Sequence, residues 1–591
     1  MTKIAKGMMK MMALLTAVVI LQSCSAEDPI SDMYSVNNTQ QAATNGSSTM
    51  SGGSSELTTF AVEIDKQTAA PSTTTEYYPD DEDRLSANTF ETEVHIVFNG
   101  STATCDAVSG ISIGADGAHL VADHGDTKGV CYVVSGSTDN GSLTIVGNKK
   151  YEVRLSGADI TNPDSTALNL LSKKRAYVVM DKGTTNRLAD GTTTKATDQK
   201  GALYCKGKLI FGGGGGLLDV YGNYNNAIHS ADYIVIDEGS NIYAKSTANH
   251  GIKANDGVFI NGGIVNVEVS AAGGKGINSE SNITVGGGRT TVITSGTCAY
   301  DNGDATSAAA VKCDSTFTLN GGELLVKSTG AGGKGIKADW EAYINGGTLR
   351  VITTGRSFSY NGDSCSPKGI KVGTKGEHGL LNITGGNVMV RTSGSGGEGI
   401  ESKGTITISN DASVQVSAYD DGINSAGDLY MMGGNIVTVG TNNDGIDSNG
   451  NMYISGGSLI AFGAGGAETG IDTGEQYKLY ITGGQVFGIG GRIDASYATV
   501  SDAQPYGSTS GSVAANATVS VTDGQTVLAK FVMPPYSYNN GTIMVSAPGM
   551  QSGSSYPLNL GSSSLTINAT TTSSSGMGGN MPGGNMPGGR W

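Results

Sequence analysis

Apolar and polar residues alternate in short runs along most of the chain, as in the segment 264–269, Ile-Val-Asn-Val-Glu-Val. A period of two sends alternate side chains to opposite faces of a β-strand. The spacing of an amphipathic helix, with apolar residues three and four apart, is absent throughout. The pattern therefore predicts many short strands, each with one side facing an interior.

A short motif, a Gly-Ile pair followed by a polar residue, recurs along the middle of the chain. Copies begin at Gly251, Gly276, Gly335, Gly369, Gly399, Gly422, Gly445 and Gly470, and Ala310-Val311-Lys312 fits as a degenerate ninth. Successive copies are 25, 34, 25, 34, 30, 23, 23 and 25 residues apart. This spacing indicates about nine recognisable coils of a β-helix with occasional loop insertions.

A second motif, an apolar and a polar residue before a Gly pair, stands in most coils, as in Ile344-Asn345-Gly346-Gly347. Gly and Asn tolerate positive φ, so the motif marks a corner between two strands. The 91 glycines among 591 residues fit a chain of such corners. Together these features predict an all-β fold, a right-handed parallel β-helix of the pectate-lyase-like solenoid type. A propeller would need about twice this period.

The predicted domain order follows from where the repeat begins and ends. We expect residues 1–24 to be a signal peptide, 25–89 a polar, disordered tether, and 90–500 the β-helix. Strands near Thr518 and Thr542 predict a small C-terminal β cap or module over 501–570. Residues 571–591 repeat a Gly-, Met- and Pro-rich unit and are expected to form a low-complexity tail.

The first 24 residues have the layout of a bacterial lipoprotein signal. Lys3 and Lys6 precede an apolar run that is too short to span a membrane, and Leu21-Gln22-Ser23-Cys24 resembles a lipobox. Cys24 is therefore the expected lipidation site. The acidic residues that follow resemble a surface-export signal, which predicts an outer-membrane lipoprotein at the cell surface, with a periplasmic face as the alternative.

Net charge and cysteine usage narrow the possible partners. A formal net charge of −16 argues against nucleic acid, which would need a basic face. A membrane contact is expected through the lipid anchor only, and the chain is expected to be a monomer. Six further cysteines would lie in an oxidising compartment, and Cys298 with Cys313 is the nearest local pair.

Stacked coils place equivalent residues in columns, with about 4.8 Å between successive residues of a column. The residue after the motif Ile gives the column Lys253, Asn278, Lys312, Lys337, Lys371, Glu401, Asn424, Asp447 and Asp472. The turn residue before the motif Gly gives His250, Lys275, Ala309, Lys334, Lys368, Glu398, Asp421, Asp444 and Thr469. Both columns change from basic to acidic at the same coil, and the repulsion of like charges in each needs an offset.

Ca²⁺ is the predicted counterion of the acidic columns, because it accepts carboxylates mixed with Asn and backbone carbonyl oxygens. The candidate ligands are Glu398, Glu401, Asp420, Asp421, Asp428, Asp444, Asp447 and Asp472. The alternative is a wet face of solvated carboxylates without a bound ion.

Lysine and tyrosine columns are the candidate carbohydrate contacts. The lysines, which could face the carboxylates of an acidic polysaccharide, are Lys334, Lys337, Lys368 and Lys371. The outward tyrosines, on which a sugar could stack, are Tyr343, Tyr430, Tyr453 and Tyr480, in a column that also holds Phe259. Solubilising lysines and plain cross-strand stacking are the alternatives.

The coils resemble a family of bacterial carbohydrate-binding β-helix proteins that bind polygalacturonate and cellulose and carry calcium. The segments Val153–Ile160 and Asp181–Gly191 look like the N-terminal signature of that family, and the resemblance covers about 90–500. It implies non-catalytic binding of an acidic or plant-cell-wall-type polysaccharide at the cell surface, supported by bound Ca²⁺.

Two other functions stay open at this point. Asn443-Asp444-Gly445-Ile446-Asp447 resembles a polygalacturonase motif, and paired carboxylates could act as acid and base. However, the downstream Asp pair and Gly-His-Gly of that family are missing, and no recognisable lyase signature occurs. A polysaccharide lyase or hydrolase, and a surface adhesin without sugar specificity, are therefore alternatives, and no catalytic residue is assigned.

Overall fold

The structure is a computed structural model that describes residues 48–52, 60–68, 75–195, 198–301, 304–374 and 378–572. The predicted signal peptide with Cys24, and the tail from residue 573 onward, lie outside these described residues. Within them no helix is long and apolar enough to cross a membrane. They contain β-strands and two short 3-10 helices, Asp81–Asp83 and Leu85–Ala87.

The Gly-Ile motifs form the strands of one continuous ladder, called ladder A. Fourteen of its strands run parallel, and the first is joined antiparallel to the second. Its strands are Ser112–Asp116, His119–Asp123, Ser142–Val146, Leu168–Leu170, Gly201–Cys205, Asn226–Ser230, Ile252–Ala254, Lys275–Ser279, Ala309–Cys313, Lys334–Ala338, Lys368–Val372, Glu398–Ser402, Ile423–Ser425, Ile446–Ser448 and Ile471–Thr473.

Two further parallel ladders complete each coil. Ladder B, before the Gly pair, holds Ala176–Met180, Leu209–Phe211, Tyr233–Ile236, Gly257–Ile260, Ile283–Val285, Thr316–Leu319, Glu341–Ile344, Leu380–Ile383 and Thr405–Ile408. Ladder C, after it, holds Thr185–Asp190, Leu217–Gly222, Asn241–Ser246, Ile264–Val269, Arg289–Thr294, Glu323–Ser328, Thr348–Thr353, Asn387–Thr392 and Ser413–Ala418. Single strands cover both ladders at Tyr151–Asn162, Leu429–Gly440, Met452–Phe462 and Leu479–Gly490.

The coil count confirms a parallel β-helix and exceeds the nine coils that the motif marks. The earlier coils keep the inward apolar position, with Leu143, Leu168, Leu203 and Ile228 in register with Ile252. They lack the Gly-Ile pair, so the motif search does not find them. All five side chains are fully buried, which shows that the core column runs on without the motif.

The Gly pair makes the corner between ladders B and C, as predicted. Gly347 has φ of 75°, a left-handed conformation in which side chains are strained. A Cβ there would lie 2.8 Å from the carbonyl oxygen of Gly322, the equivalent corner of the preceding coil. The corners stack so closely that only glycine fits.

The remaining strands lie at the two ends and in two insertions. At the N-terminal end they are Thr92–Asn99, Thr102–Cys105 and Val130–Thr138, and the inserted hairpins are Ala299–Asp301 with Asp304–Thr306 and Phe358–Tyr360 with Asp363–Cys365. The C-terminal strands are Tyr506–Val513, Thr518–Asp523, Thr526–Val532, Tyr536–Ser546, Ser555–Leu560 and Ser564–Asn568, and the strand Thr49–Gly52 pairs with Tyr536–Asn539.

The C-terminal strands pack on the outer side of the last coils. Outward side chains of ladder C are apolar there, and Phe462 and Phe487 are fully buried against Phe531 and Tyr538. The strand Tyr536–Ser546 also pairs antiparallel with the last long strand, Leu479–Gly490. These strands therefore cover both the end and the flank of the solenoid.

Part of the segment that we expected to be a disordered tether is folded against ladder B. Asp83 is fully buried, accepts a 2.7 Å hydrogen bond from Nε of Arg175, and accepts hydrogen bonds from the Tyr233 hydroxyl. The rings of Tyr77 and Phe259 pack against each other at a tilt of 35°, with centroids 5.1 Å apart. Arg175 and the aromatic side chains of the solenoid thus supply partners for this polar segment.

Candidate functional site

The outward column of ladder A has the register that the repeat predicts. In the backbone register of ladder A, Lys312 lies opposite Lys337, Lys337 opposite Lys371, and Lys371 opposite Glu401. Asn424, Asp447 and Asp472 continue the column in successive coils. The charge of the column therefore changes sign between Lys371 and Glu401, which are neighbours on successive coils.

Most of the turn column is buried, including Lys334, Lys368, Asp421 and Asp444, whereas His250, Lys275 and Glu398 are half-buried. Its side chains bond the next coil: His250 Nδ1 accepts the backbone N–H of Lys275 at 3.1 Å, and Asp444 Oδ1 accepts that of Thr469 at 2.6 Å. Asp421 Oδ1 likewise accepts the N–H of Asp444 at 3.1 Å. The histidine and aspartate members of the column thus satisfy backbone donors of the next coil, which accounts for the burial of Asp421 and Asp444.

Five charged side chains form an ion cluster where the two columns change sign. Lys368 pairs with Glu398 and lies 3.7 Å from Glu401. Glu401 also pairs with Lys403 and lies 3.6 Å from Lys371. These lysines hold the pKa of Glu401 near 2, against the effect of its burial. The two glutamates are therefore neutralised by protein cations.

Carboxylates beyond this cluster lack such compensation. Burial, together with neighbouring acids, raises the pKa of Asp421 to about 8 and that of Asp444 and Asp447 to about 7. The pKa of Asp472 is raised to about 6 by burial and then by Asp494. The Asn424 amide donates to Asp421 at 2.8 Å and to Asp447 at 3.3 Å. Asp421 and Asp444 of the turn column and Asp447 and Asp472 of the outward column are together called the acidic column. Their carboxylates repel each other without compensation when they are ionised.

The predicted calcium ligands do not form one site. Asp428 is in the corner before ladder B, where it accepts hydrogen bonds from the Tyr430 hydroxyl and the Asn451 N–H. Among the described residues no group of three or more His, Cys, Asp or Glu side chains is placed to hold a metal. Glu398 and Glu401 already have lysine partners. The acidic column Asp421, Asp444, Asp447 and Asp472 is the part of the set that forms no ion pair among the described residues.

A groove lies over the basic half of ladder A. Its walls are the outward face of the ladder and residues 305–307 of the first inserted hairpin, and its volume is about 390 Å³. This lysine groove is lined by His250, Lys275, Asn278, Glu280, Ala305, Thr306, Ser307, Lys312, Asp314 and Lys337. Tyr300 and Tyr360, one from each hairpin, meet edge to face with centroids 4.8 Å apart.

The side chains that line the groove, together with the buried Lys334 of the same turn column, carry more positive than negative charge. Lys312 and Lys337 each lie 3.1 Å from a carboxylate oxygen of Asp339. Lys275 and Lys334 form no ion pair within the described ranges, and Nζ of each bonds only backbone carbonyl oxygens. Burial and nearby lysines lower the pKa of both to about 8.

The predicted carbohydrate lysines divide between these environments. Lys337 lines the groove, and Lys371 is its neighbour in register. Lys334 and Lys368 are 5% and 6% exposed, so their ammonium groups lie under the surface and do not face a ligand directly. The predicted carbohydrate contacts did not include Lys275, Lys312 or the hairpins, although the two 34-residue spacings marked the insertions that build the groove wall.

The predicted tyrosines lie on ladder B, a different face from the groove. Tyr430, Tyr453 and Tyr480 are register partners, with centroids 4.9 and 4.7 Å apart and ring planes within 13° of parallel. Tyr343 belongs to the same column but is separated from them by Asn382 and Thr407. Because the rings of this tyrosine row cover each other, they present edges and hydroxyls rather than open faces.

Of the comparisons with known proteins, the match to a family model bears on function. A family model described as "Carbohydrate-binding domain-containing protein" matches residues 124–273, 267–354 and 329–436, which together span more than half of the chain. No curated protein shows a match. A solved structure titled "Structure of the polysaccharide lyase-like protein from C. thermocellum, Gadolinium derivative" is 21% identical, covering 50% of this chain and 97% of that chain with a TM-score of 0.28.

Proposed function

The chain belongs to the family of carbohydrate-binding domain-containing proteins, and we propose that it binds an acidic polysaccharide in the lysine groove without cleaving it. The observation that carries this proposal is a pair of ammonium groups without carboxylate partners among the described residues, the half-buried Lys275 in the groove lining and the buried Lys334 of the same turn column. An anionic group in the groove would lower the cost of keeping them charged.

The repeat spacing supports a polymer rather than a small anion. Lys312, Lys337 and Lys371 occupy one position of three successive coils, which lie about 4.8 Å apart. A chain of uronate sugars lying along the ladder would present a carboxylate at intervals to this row. Charge-assisted hydrogen bonds from lysine to carboxylate would supply affinity, and the hairpin wall would limit the orientation of the chain.

The tyrosine row is a second contact in this proposal. Its hydroxyl edges, flanked by Asp428, Asn451 and Lys478, repeat in three successive coils and can hydrogen-bond sugar hydroxyls. The row lies on ladder B, so it would bind a separate stretch of polysaccharide. Its contribution is therefore expected to be independent of the lysine groove.

Calcium enters the proposal as a counterion of the acidic column. The residues that fit are Asp421, Asp444, Asp447 and Asp472, whose raised pKa values reflect burial and mutual repulsion. Because no three carboxylates converge within the described part of the chain, Ca²⁺ would be held by carboxylates of neighbouring coils, Asn and backbone oxygens, and water. It would stabilise the coils rather than contact sugar.

The place of action that we propose is the cell surface. Acylation at Cys24 would anchor the protein as a monomer to the outer membrane, and the polar residues after Cys24 would hold the β-helix away from the lipid. Cys24 lies outside the described residues, so this part of the proposal depends on the sequence motif alone.

Binding to polygalacturonate, measured by calorimetry with the full chain in detergent, tests the proposal. Lys275→Gln and Lys337→Gln are expected to weaken binding by roughly tenfold each, because each removes one charge-assisted contact. Lys327→Gln is the matched control, since Lys327 faces outward on ladder C. Equal affinity in all variants would contradict the groove as the site.

The same incubation separates the alternatives. Unsaturated products or new reducing ends would move the protein to the lyase or hydrolase class. Absence of binding to acidic and neutral polysaccharides alike would favour an adhesin without sugar specificity.

A further inference from the structure

The two inserted hairpins meet over the lysine groove, and each brings a cysteine to the contact. Cys298 directly precedes the first hairpin, Ala299–Thr306, and Cys365 ends the second, Phe358–Cys365. The hairpins belong to different coils, and the two cysteines are 67 residues apart in the chain. Their contact is therefore made by the stacking of coils and not by local sequence.

The turn at Gly332 shows how close these cysteines are. A Cβ added to Gly332 would lie 2.7 Å from Sγ of Cys298 and 2.7 Å from Cβ of Cys365. Both cysteine side chains therefore lie against the same turn, and Cys298 Sγ is 3.9 Å from the carbonyl oxygen of Gly332. Cys365 Sγ also lies 3.7 Å from the carbonyl oxygen of Ala305 in the first hairpin. Cys313, the partner suggested by the sequence, faces the core in the opposite direction and is fully buried.

We propose that Cys298 and Cys365 are a redox-active pair that forms a disulfide, joining the two hairpins that wall the lysine groove. The thiolate of Cys365 attacks one sulfur of a small-molecule disulfide and releases one thiolate from it. Cys298 then loses its proton, attacks the sulfur of Cys365 and displaces the second small-molecule thiolate. The two protons of the protein thiols end on the two released thiolates, and the protein loses two electrons to the reagent.

The surroundings make Cys365 the attacking thiol. Its hydrogen bond with Cys298, followed by the charges of Lys334, Lys337 and Lys371, lowers its pKa to about 6. A large thiolate fraction at neutral pH and partial exposure are the properties of reactive cysteines.

The other buried cysteines lack these properties. Burial raises the pKa of Cys205 and Cys313 to about 12, and it raises that of Cys131 further. Cys105 is exposed and lies on the hairpin strand Thr102–Cys105 at the N-terminal end of the solenoid. Among the buried and half-buried cysteines, oxidation is therefore expected to be selective for the pair.

The disulfide would connect redox state to the shape of the groove. Residues 305–307 of the first hairpin form the groove wall, and Cys365 contacts this hairpin at Ala305. Fixing the two hairpins to each other would hold the wall in one position before ligand binds. This effect on binding rests on the proposed function, whereas the disulfide itself does not.

The test treats the full chain, purified in detergent, with oxidised glutathione or with dithiothreitol at neutral pH. Free thiols are then blocked, and peptides are mapped by mass spectrometry without reduction. The oxidised sample is expected to lose about 2 Da and to yield one linked peptide, Cys298 with Cys365. Its melting temperature is expected to exceed that of the reduced sample, because the crosslink closes a long loop.

Two variants define the outcomes. Cys298→Ser should abolish the linked peptide and the rise in melting temperature and leave Cys365 reactive, whereas Cys105→Ser should change nothing. Blocked, unlinked Cys298 and Cys365 in the oxidised wild type, or a link from either to another cysteine, would overturn the pair. A linked pair without any change in polygalacturonate affinity on reduction would keep the disulfide and remove only its role in binding.

Discussion

Lys368 and Glu398 occupy the same position in successive coils, and their side chains form an ion pair across the boundary between these coils. Both are largely buried. The pair lies where the two charge columns change from basic to acidic. The solenoid is thereby divided into a basic half with the lysine groove and an acidic half with uncompensated carboxylates.

Removing one partner of this pair is expected to be costly. Glu398→Gln would leave Lys368 buried with one fewer anion and should lower the free energy of unfolding by about 3 kcal/mol. The double variant Lys368→Met, Glu398→Leu should recover most of the loss, since no unpaired charge remains. Denaturant unfolding of the wild type and the two variants measures this, and an equal loss in the single and double variants would exclude an electrostatic cause.

The acidic column is expected to make stability depend on pH. Folding raises the pKa of Asp421 to about 8 and that of Asp444 and Asp447 to about 7, from 3.8. The folded state therefore holds protons that the unfolded chain releases. The stability contributed by these groups is fully present below pH 3.8 and is lost as pH rises through the interval to about 8.

Thermal unfolding without divalent cations should accordingly show a melting temperature that falls between pH 5 and pH 8. Asp447→Asn should flatten this fall, and Ca²⁺ at pH 8 should raise the melting temperature of the wild type more than that of the variant. Asp428→Asn is the control, because Asp428 lies away from the column. A calcium effect of equal size in Asp447→Asn would exclude the column as the cation site.

The contact between the segment 75–90 and ladder B gives a third prediction. Asp83→Asn removes the buried charge that faces Arg175 and the Tyr233 hydroxyl. The segment 75–90 should then detach from ladder B, and limited proteolysis should cleave it faster. Asp81→Asn, at an exposed neighbouring position, should leave the cleavage rate unchanged. If both variants were cleaved at the wild-type rate, the contacts of Asp83 would not be what keeps the segment on ladder B.

Two substitutions of Tyr453 separate stability from binding in the tyrosine row. Tyr453→Leu removes both stacking contacts and should cost about 1 kcal/mol of stability or slightly more. Tyr453→Phe keeps the stack and removes one hydroxyl, so it should reduce sugar binding without a change in melting temperature. Unaltered binding to neutral and acidic polysaccharides in Tyr453→Phe would assign the row to stability alone.

Sequence periodicity was sufficient to predict the fold class and the column from Lys253 to Asp472, because each coil places one residue after the motif Ile. It could not predict the burial of Lys334 and Asp444. Lys334 is the first residue of its ladder A strand and Asp444 lies just before one. There each side chain bonds a backbone group of the next coil, which the alternation of the strand does not reveal.

Contacts between distant segments were also beyond the sequence. The composition of 75–90 indicates a polar tether, but Arg175 and Phe259 of the solenoid supply the partners for Asp83 and Tyr77. Likewise, the repeat marks the two insertions by their length, yet nothing in it indicates that Cys298 meets Cys365. Both contacts depend on how coils and segments stack in three dimensions.

The pH dependence of polygalacturonate affinity tests the central claim most directly. Folding lowers the pKa of Lys275 and Lys334 from 10.5 to about 8, so both gain protons as pH falls through 8, and an anionic ligand favours that charged form. Calorimetry between pH 9 and pH 6.5 should show tighter binding at lower pH, with proton uptake near pH 8 that is reduced in Lys275→Gln. Affinity and proton uptake that are the same in the wild type and Lys275→Gln across this range would contradict binding in the lysine groove.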